Sequence, residues 1–364
     1  MGTKLDVAFK FGAGRYIQEP DALKLAGGEI GRFGHHALVI GGPTALDIAG
    51  EPLRRSLCDA CVTHEFVVYP GYNTREAANH YAAYCKKNSF DVVVGVGGGK
   101  IMDLAKSIAH MAELPVVNIP TQAATCAAYT PMSVMYTEEG AAYGTVGGNF
   151  YEVSAVIIDE TVMIHQPPRY AASGILDAMA KFIEVQHGHA SMPFNDFNIE
   201  LYTAYYLSKY TYDILKETCL KVYDDIREHR LTKEVHDFLF INFALTSVIS
   251  GVSKAFGQTA LAHEMYYCAR MFFTNDSLSY LHGEIVGTSL ILQLYYNGTP
   301  EKIPEFRNFM KRMEMPVTLK ELGILETGEN IQKIFEYLHS TAFVEDTEEN
   351  REKLMNSIRA VCEI

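Results

Sequence analysis

The chain has 364 residues, 48% hydrophobic and 21% charged, an ordinary globular balance with enough length for about two domains. Its formal charge of −13 argues against nucleic acid, because phosphate contacts need a basic face. An acidic surface also repels free anions, so an anionic cofactor needs a local binding device.

Up to about residue 160, short β-branched runs alternate with Ala-rich segments. Ala37-Leu38-Val39-Ile40 ends in Gly41-Gly42, and His64-Glu65-Phe66-Val67-Val68-Tyr69 ends in Pro70-Gly71. Asp91-Val92-Val93-Val94-Gly95-Val96 ends in Gly97-Gly98-Gly99, Pro115-Val116-Val117-Asn118-Ile119 in Pro120-Thr121, and Ala155-Val156-Ile157-Ile158 in Asp159. Such runs fit strands buried on both faces of a parallel sheet. Helix-like segments at 74–87 and 100–111 lie between them, so residues 1–160 are predicted to form a doubly wound, Rossmann-like α/β domain. Ligands of such sheets bind at the carboxyl ends of the strands, where the glycine turns stand.

After Pro167-Pro168 the texture changes. Segments 171–186, 195–215, 235–252, 259–272 and 284–296 read as helices, with no further β-rich run of comparable length. Residues 161–364 are therefore expected to be an all-helical domain, with the active site in the cleft between the two. No apolar stretch approaches the ~20 residues that span a bilayer. The start, Met1 to Asp6, lacks a signal peptide's apolar segment. A cytoplasmic protein with no membrane partner is the expectation. The seven cysteines include Cys58 and Cys61 at CxxC spacing, but no second pair completes a four-thiolate site, so reduced thiols are expected.

Gly97-Gly98-Gly99-Lys100 follows a strand and opens a helix. Glycine allows close backbone approach, and a helix N-terminus offers unpaired N–H groups to phosphate. The spacing is neither that of GxGxxG nor that of a P-loop, so the turn alone implies only a bound anion.

VGVGGGKIMDLAK followed by NIPTQAATCAAYTPMSVMYTEEG closely resembles the glycerol dehydrogenase group of the iron-containing alcohol dehydrogenase superfamily. The resemblance continues through GILDAMAKFIE and ALAHEMYY to YLHGEIVG, covering about residues 10 to 300. It implies a dehydroquinate synthase-like architecture, a nicotinamide cofactor and a homo-oligomer. It places the cofactor pyrophosphate at Gly98, Gly99 and Lys100, and the rest of the nucleotide along Thr121, Thr130, Met132 and Tyr136. Gly42 stands where NAD-preferring relatives carry an Asp that binds a ribose. Without that carboxylate, repulsion toward a 2′-phosphate disappears, so NADP is expected to be accepted beside NAD.

Asp177, His263 and His282 occupy the family's metal-ligand positions, in GILDA, ALAH and HGE. Two imidazoles and a carboxylate suit Zn²⁺ or Fe²⁺ with positions left open for a substrate oxygen, and these three residues would act in catalysis through the ion. His263-Glu264 begins like the HExxH of zinc proteases, but the second histidine is missing. Tyr266 replaces a further family histidine, which puts in doubt a histidine proton relay. Cys126 replaces the Asp with which glycerol-specific relatives contact the polyol, and the string ATCAAYTP instead looks like the hydroxycarboxylate dehydrogenase branch. Cys126 and Tyr266 are thus the candidate substrate residues. The expected activity is hydride transfer between NAD(P) and a small alcohol, polyol or 2-hydroxy/2-oxo acid. The alternatives are a dehydroquinate synthase-like lyase and a non-catalytic nucleotide-binding relative.

Overall fold

A computed structural model of the protein describes residues 11–146, 152–190, 199–253 and 259–362. Met1 to Asp6 and the predicted helix start at 195–198 lie outside them. Eight strands form: β1 (Tyr16–Glu19), β2 (His36–Gly41), β3 (Thr63–Val68), β4 (Val92–Gly97), β5 (Val116–Pro120), β6 (Ser133–Tyr136), β7 (Ala142–Val146) and β8 (Ala155–Asp159). Six of them make a parallel sheet in the order β1-β8-β5-β4-β2-β3.

The apolar runs dictate this order. β4, β5 and β8 are buried at every position, because helices cover both faces and the Val/Ile runs satisfy both. β3 departs from expectation: it is the sheet's edge, and its alternate residues reach solvent. From β2 the chain first adds β3 on one side, then β4 on the other. That reversal leaves a crevice at the carboxyl ends of β2 and β4, where Gly42 and the Gly97–Gly99 turn emerge.

The helices between these strands are α1 (Leu23–Ile30), α2 (Pro43–Asp59), α3 (Arg75–Asn88) and α4 (Gly99–Ala112). Helix α3 starts on Thr74, whose hydroxyl accepts the Ala77 N–H, and ends at Ser89 in the left-handed conformation. β6 and β7 form an antiparallel hairpin that the sequence reading did not anticipate, and it packs across α4 and toward the helical half.

After α5 (Glu160–Met163), the described residues are helical or irregular: α6 (Pro168–Val185), α7 (Ile199–Arg227), α8 (Lys233–Phe240), α9 (Thr246–Val252), α10 (Leu261–Phe272), α11 (Thr274–Ser277), α12 (His282–Tyr296), α13 (Ile303–Arg312), α14 (Gly328–His339) and α15 (Glu348–Ala360). A π-helical turn, Ile241–Leu245, joins α8 to α9 where one regular helix was expected. It places the buried Asn242 so that Nδ2 donates to the Thr125 carbonyl, 3.3 Å away. The run Lys233–Val252 is 20 residues and apolar enough by composition to cross a bilayer, contrary to the sequence expectation; most of it is buried inside the fold.

Helix α6 lies at the centre of the helical half, packed against α7 and α12. Its contact with α12 is close because Gly283 carries no side chain: a Cβ there would stand 1.9 Å from the Ser173 carbonyl oxygen. One apolar core runs from the α3/α4 face of the sheet into these helices, and a second fills the opposite face beneath α1 and α2.

Candidate metal and cofactor site

Helix α6 reads PRYAASGILDAMAKFIEV and is buried almost all round. Three ionisable residues nevertheless recur along one face, at Asp177, Lys181 and Glu184. All three are at least 96% buried, so each requires a partner. The partners arrive on the first turns of α10, which carries His263, and α12, which begins at His282.

Asp177, His263 and His282 converge so that one ligand atom from each lies within 4.8 Å of the others. The Nε2 atoms of His263 and His282 stand 3.5 and 3.7 Å from Asp177 Oδ1. That oxygen is buried and makes no hydrogen bond among the described residues. Burial by itself would raise the Asp177 pKa. Lys181 and the two imidazoles outweigh it and hold the carboxyl well below its usual range. His282 is pushed down, first by burial and only partly offset by Asp177, which favours the neutral imidazole a metal needs.

Glu184, which the sequence reading missed, orients His263. It accepts the backbone N–H of Ala260 at 2.7 Å and of His263 at 3.0 Å, and its other oxygen pairs with His263 Nδ1. With Nδ1 held by a carboxylate, Nε2 is the nitrogen that faces Asp177; burial lowers the His263 pKa, but Glu184 and Asp177 hold it above the ordinary value. Lys181 was also missed. Its ammonium stands 3.2 Å from His263 Nε2 and 3.4 Å from Asp177 Oδ1. Burial lowers its pKa, but Asp177, Cys126 and Glu184 together hold it above the ordinary value.

Because Glu184 fixes the tautomer, Glu184→Gln should weaken metal affinity by about 10- to 100-fold while the three ligands remain. Competition with a chromogenic chelator checks this. Unchanged affinity would show that Glu184 supports α10 only.

Tyr266 follows His263 by three positions and packs edge-on against His282, with ring centroids 4.3 Å apart. Its hydroxyl meets that of Tyr136 at 3.2 Å. The hairpin therefore brings Tyr136, expected along the nucleotide, against the imidazole cluster. Glu264, the glutamate of the HExxH-like string, accepts the Tyr337 hydroxyl at 3.0 Å instead of facing the cluster.

The glycine turn stands at the carboxyl end of β4 and opens α4. Gly97 has φ +152°, a left-handed value that a side chain rarely adopts, and Gly98 is the N-cap of α4. The Thr121 N–H donates to the Gly97 carbonyl at 3.0 Å, tying the turn to the segment after β5. Lys100 is exposed, with Nζ 3.8 Å from the Tyr72 ring centroid. Gly42 caps α2 with Pro43 as the first helical residue, and a Cβ at Gly42 would meet nothing within 4 Å.

Segment 121–132 runs from this turn toward the cluster. A Cβ on Gly99 would stand 3.3 Å from Thr125 Oγ1. The next residue, Cys126, is close enough to Asp177 and Lys181 to feel both electrostatically. Burial pushes its thiol up, which opposes a role as nucleophile. Thr130 and Met132 present their carbonyls to Lys106 Nζ, at 2.9 and 2.5 Å. Their side chains reach the rim, where Met132 is 38% exposed. All seven cysteines are free thiols, and the exposed Cys58 and Cys61 lie at and just beyond the C-terminal end of α2, the end opposite Gly42.

The chain and its fold have counterparts among known proteins. Residues 13–160 match the family described as iron-containing alcohol dehydrogenase. A glycerol dehydrogenase of Thermotoga maritima is 28% identical over 316 residues, covering 85% of this chain and 84% of that protein. Hydroxycarboxylate dehydrogenase A of Escherichia coli is 28% identical over 238 residues, covering 64% and 63%. The crystal structure of a probable glycerol dehydrogenase from Sinorhizobium meliloti superposes with a TM-score of 0.81 at 21% identity, covering 97% of each chain. The chain is thus similar, over these spans, to iron-containing alcohol dehydrogenases, and it shares the fold of the solved structure. The relatives it matches include glycerol dehydrogenases as well as hydroxycarboxylate dehydrogenase A.

Proposed function

We propose that the protein is a metal-dependent oxidoreductase that moves a hydride between NAD(P) and a small polar alcohol or carbonyl compound. The observation that carries this is the convergence of Asp177, His263 and His282 from three helices on one point, where the buried Asp177 Oδ1 has no hydrogen-bond partner among the described residues. Two imidazoles and a carboxylate with an orphaned oxygen fit a divalent ion, Zn²⁺ or Fe²⁺. When bound, the ion supplies Lewis acidity toward the substrate oxygen. In the oxidative direction the substrate loses a hydride to NAD(P)⁺ and a proton to solvent, giving the carbonyl compound and NAD(P)H.

The chain's own residues supply placement and a dry environment. Glu184 holds His263 in the tautomer that presents Nε2. The Gly97–Gly99 turn and the N-terminus of α4 are assigned the pyrophosphate, with Lys100 beside it. Thr121, Thr130, Met132 and Tyr136 are assigned the nucleotide side of the cleft between residues 1–160 and 161–364. Cys126 and Tyr266 face the substrate. Proton movement is assigned to the Tyr266 and Tyr136 hydroxyls, which touch each other next to His282, in place of a second histidine.

A lyase acting on a phosphorylated substrate is less well supported. Arg169 is committed to Glu284, and Lys106 to three carbonyls and Asp103. The proposed protein works as a cytoplasmic homo-oligomer on a small-molecule substrate, without nucleic-acid or membrane partners. Light scattering tests the assembly.

Turnover of a panel of polyols, simple alcohols and 2-oxo acids with NAD and NADP tests the activity. Turnover on any of them by the metal-loaded protein is the expected result. Complete inactivity with bound metal would instead mark a non-catalytic nucleotide-binding relative.

Gly42 gives a further expectation. No side chain stands at this position and a Cβ there would meet nothing within 4 Å, so wild type should use NADP within tenfold of NAD. Gly42→Asp should then lower kcat/KM for NADP at least about tenfold relative to NAD, a change of ~1.4 kcal/mol from placing a carboxylate against the phosphate. A thousandfold preference of wild type for NAD would contradict this.

A further inference from the structure

Helix α6 carries the metal cluster on one face only. Asp177, Lys181 and Glu184 lie on that face, whereas Met179, Phe182, Ile183 and Gln186 project about half a turn away from it. This opposite face backs a separate cavity of about 420 Å³, within the ~300–1,000 Å³ of small-molecule sites. Tyr212 and Leu220 of α7, Leu294 of α12, and Phe306 and Phe309 of α13 supply the other walls. The cavity is a trough that follows α13 from Lys302 to Arg312, ~15 Å of helix.

The interior suits an apolar body. Met179, Ile183, Leu294 and Phe306 are at most 5% exposed. The polar side chains beside them already have partners within the fold. Gln186 Nε2 donates to the Phe182 carbonyl at 2.8 Å, Asn297 Nδ2 to the Ile183 carbonyl at 2.7 Å, and Thr299 Oγ1 to the Leu294 carbonyl at 3.0 Å.

The mouth is cationic. Lys216, Lys302 and Arg312 line it, against a single acidic side chain, Glu305. Lys216 is paired with Glu305 at 2.9 Å. Lys302 and Arg312 pair with no carboxylate among the described residues. Arg312 stands over the interior: burial pushes the Cys219 thiol up to about 12, and the guanidinium is close enough to offset part of that rise. A guanidinium without a partner at the end of an apolar trough matches the planar fork of a carboxylate.

We propose that this cavity is a second ligand site, apart from the metal and cofactor, for a small amphipathic carboxylate whose apolar tail lies along the trough and whose carboxylate meets Arg312. It does not depend on the dehydrogenase reading.

Calorimetry on the full chain with butanoate, hexanoate and octanoate tests this. Octanoate should bind at one equivalent, and affinity should rise about threefold per added methylene along the series. Octanamide, which keeps the length and lacks the charge, should bind at least about tenfold more weakly. Arg312→Gln, a change at an exposed position, should weaken octanoate about tenfold and leave octanamide unchanged. Leu220→Trp, which fills the trough from α7, should remove binding of both, with circular dichroism checking its fold. Octanoate affinity should be the same with or without added zinc and at saturating NADH, because α6 stands between the two sites.

No saturable binding would overturn the proposal. Displacement of octanoate by NADH or by zinc would place the ligand in the metal cleft and overturn it equally. Affinity indifferent to chain length, or to Arg312→Gln, would mean adventitious surface binding only.

Discussion

Asp177→Asn should yield a folded protein that holds no stoichiometric zinc or iron and loses about 10³-fold or more of kcat/KM. The magnitude follows from the several kcal/mol that a divalent ion contributes to stabilising charge on a reacting oxygen. Asp177 is the cluster's only carboxylate free to bind an ion, because Glu184 is spent on His263 and the start of α10. An asparagine preserves the shape but not the charge. It also removes the carboxylate that pairs with Lys181 at 3.4 Å, so metal and lysine lose a shared counter-charge together. Elemental analysis and steady-state kinetics read the two effects, and far-ultraviolet circular dichroism checks the fold. A variant that keeps bound metal and activity within tenfold would mean that the ion sits elsewhere.

Lys106→Met should destabilise the protein by about 3–5 kcal/mol, as expected when one member of a buried ion pair is removed. The Lys106 ammonium is enclosed by the carbonyls of Ala127, Thr130 and Met132 and by Asp103 Oδ1 at 2.9 Å. Methionine fills the space but strands a buried carboxylate whose remaining bond is to the Val134 N–H. Burial already pushes Asp103 up despite its lysine. The same substitution frees the segment 121–132 that joins the glycine turn to the metal cluster, so KM for the cofactor should rise as well. Denaturant unfolding measures the stability. A loss under 1 kcal/mol would mean that water satisfies these carbonyls and that the lysine is dispensable.

The strands were readable because their signal is dense: Val92–Gly97 is an uninterrupted buried run, and its glycine turn announces the helix behind it. β6 and β7 escaped because both are short and neither SVMY nor AYGTV alternates apolar with polar residues, although β6 alternates in burial once it packs on α4. The π-helical turn at Ile241–Leu245 has no composition of its own that sets it apart from a regular helix. The three candidate metal ligands were found through resemblance, since each alone is an ordinary Asp or His.

Glu184 and Lys181 carried a signal that could have been used. In α6 they follow Asp177 at four and seven positions, on one face of a helix otherwise apolar enough to be buried. Charged residues repeating at helical spacing on a buried face require partners, and here the partners are one another and His263. Tyr136 lay in the right segment, but its contact with Tyr266 depends on the hairpin, which the sequence did not declare.

The central claim is that one divalent ion at Asp177, His263 and His282 is needed for hydride transfer. The most direct measurement is turnover with the preferred cofactor and substrate before chelation, after exhaustive chelation, and after adding back Zn²⁺ or Fe²⁺. The account predicts that chelated protein loses activity, that one equivalent of metal restores it, and that Asp177→Asn cannot be restored. Chelated, metal-free protein with full activity would contradict it.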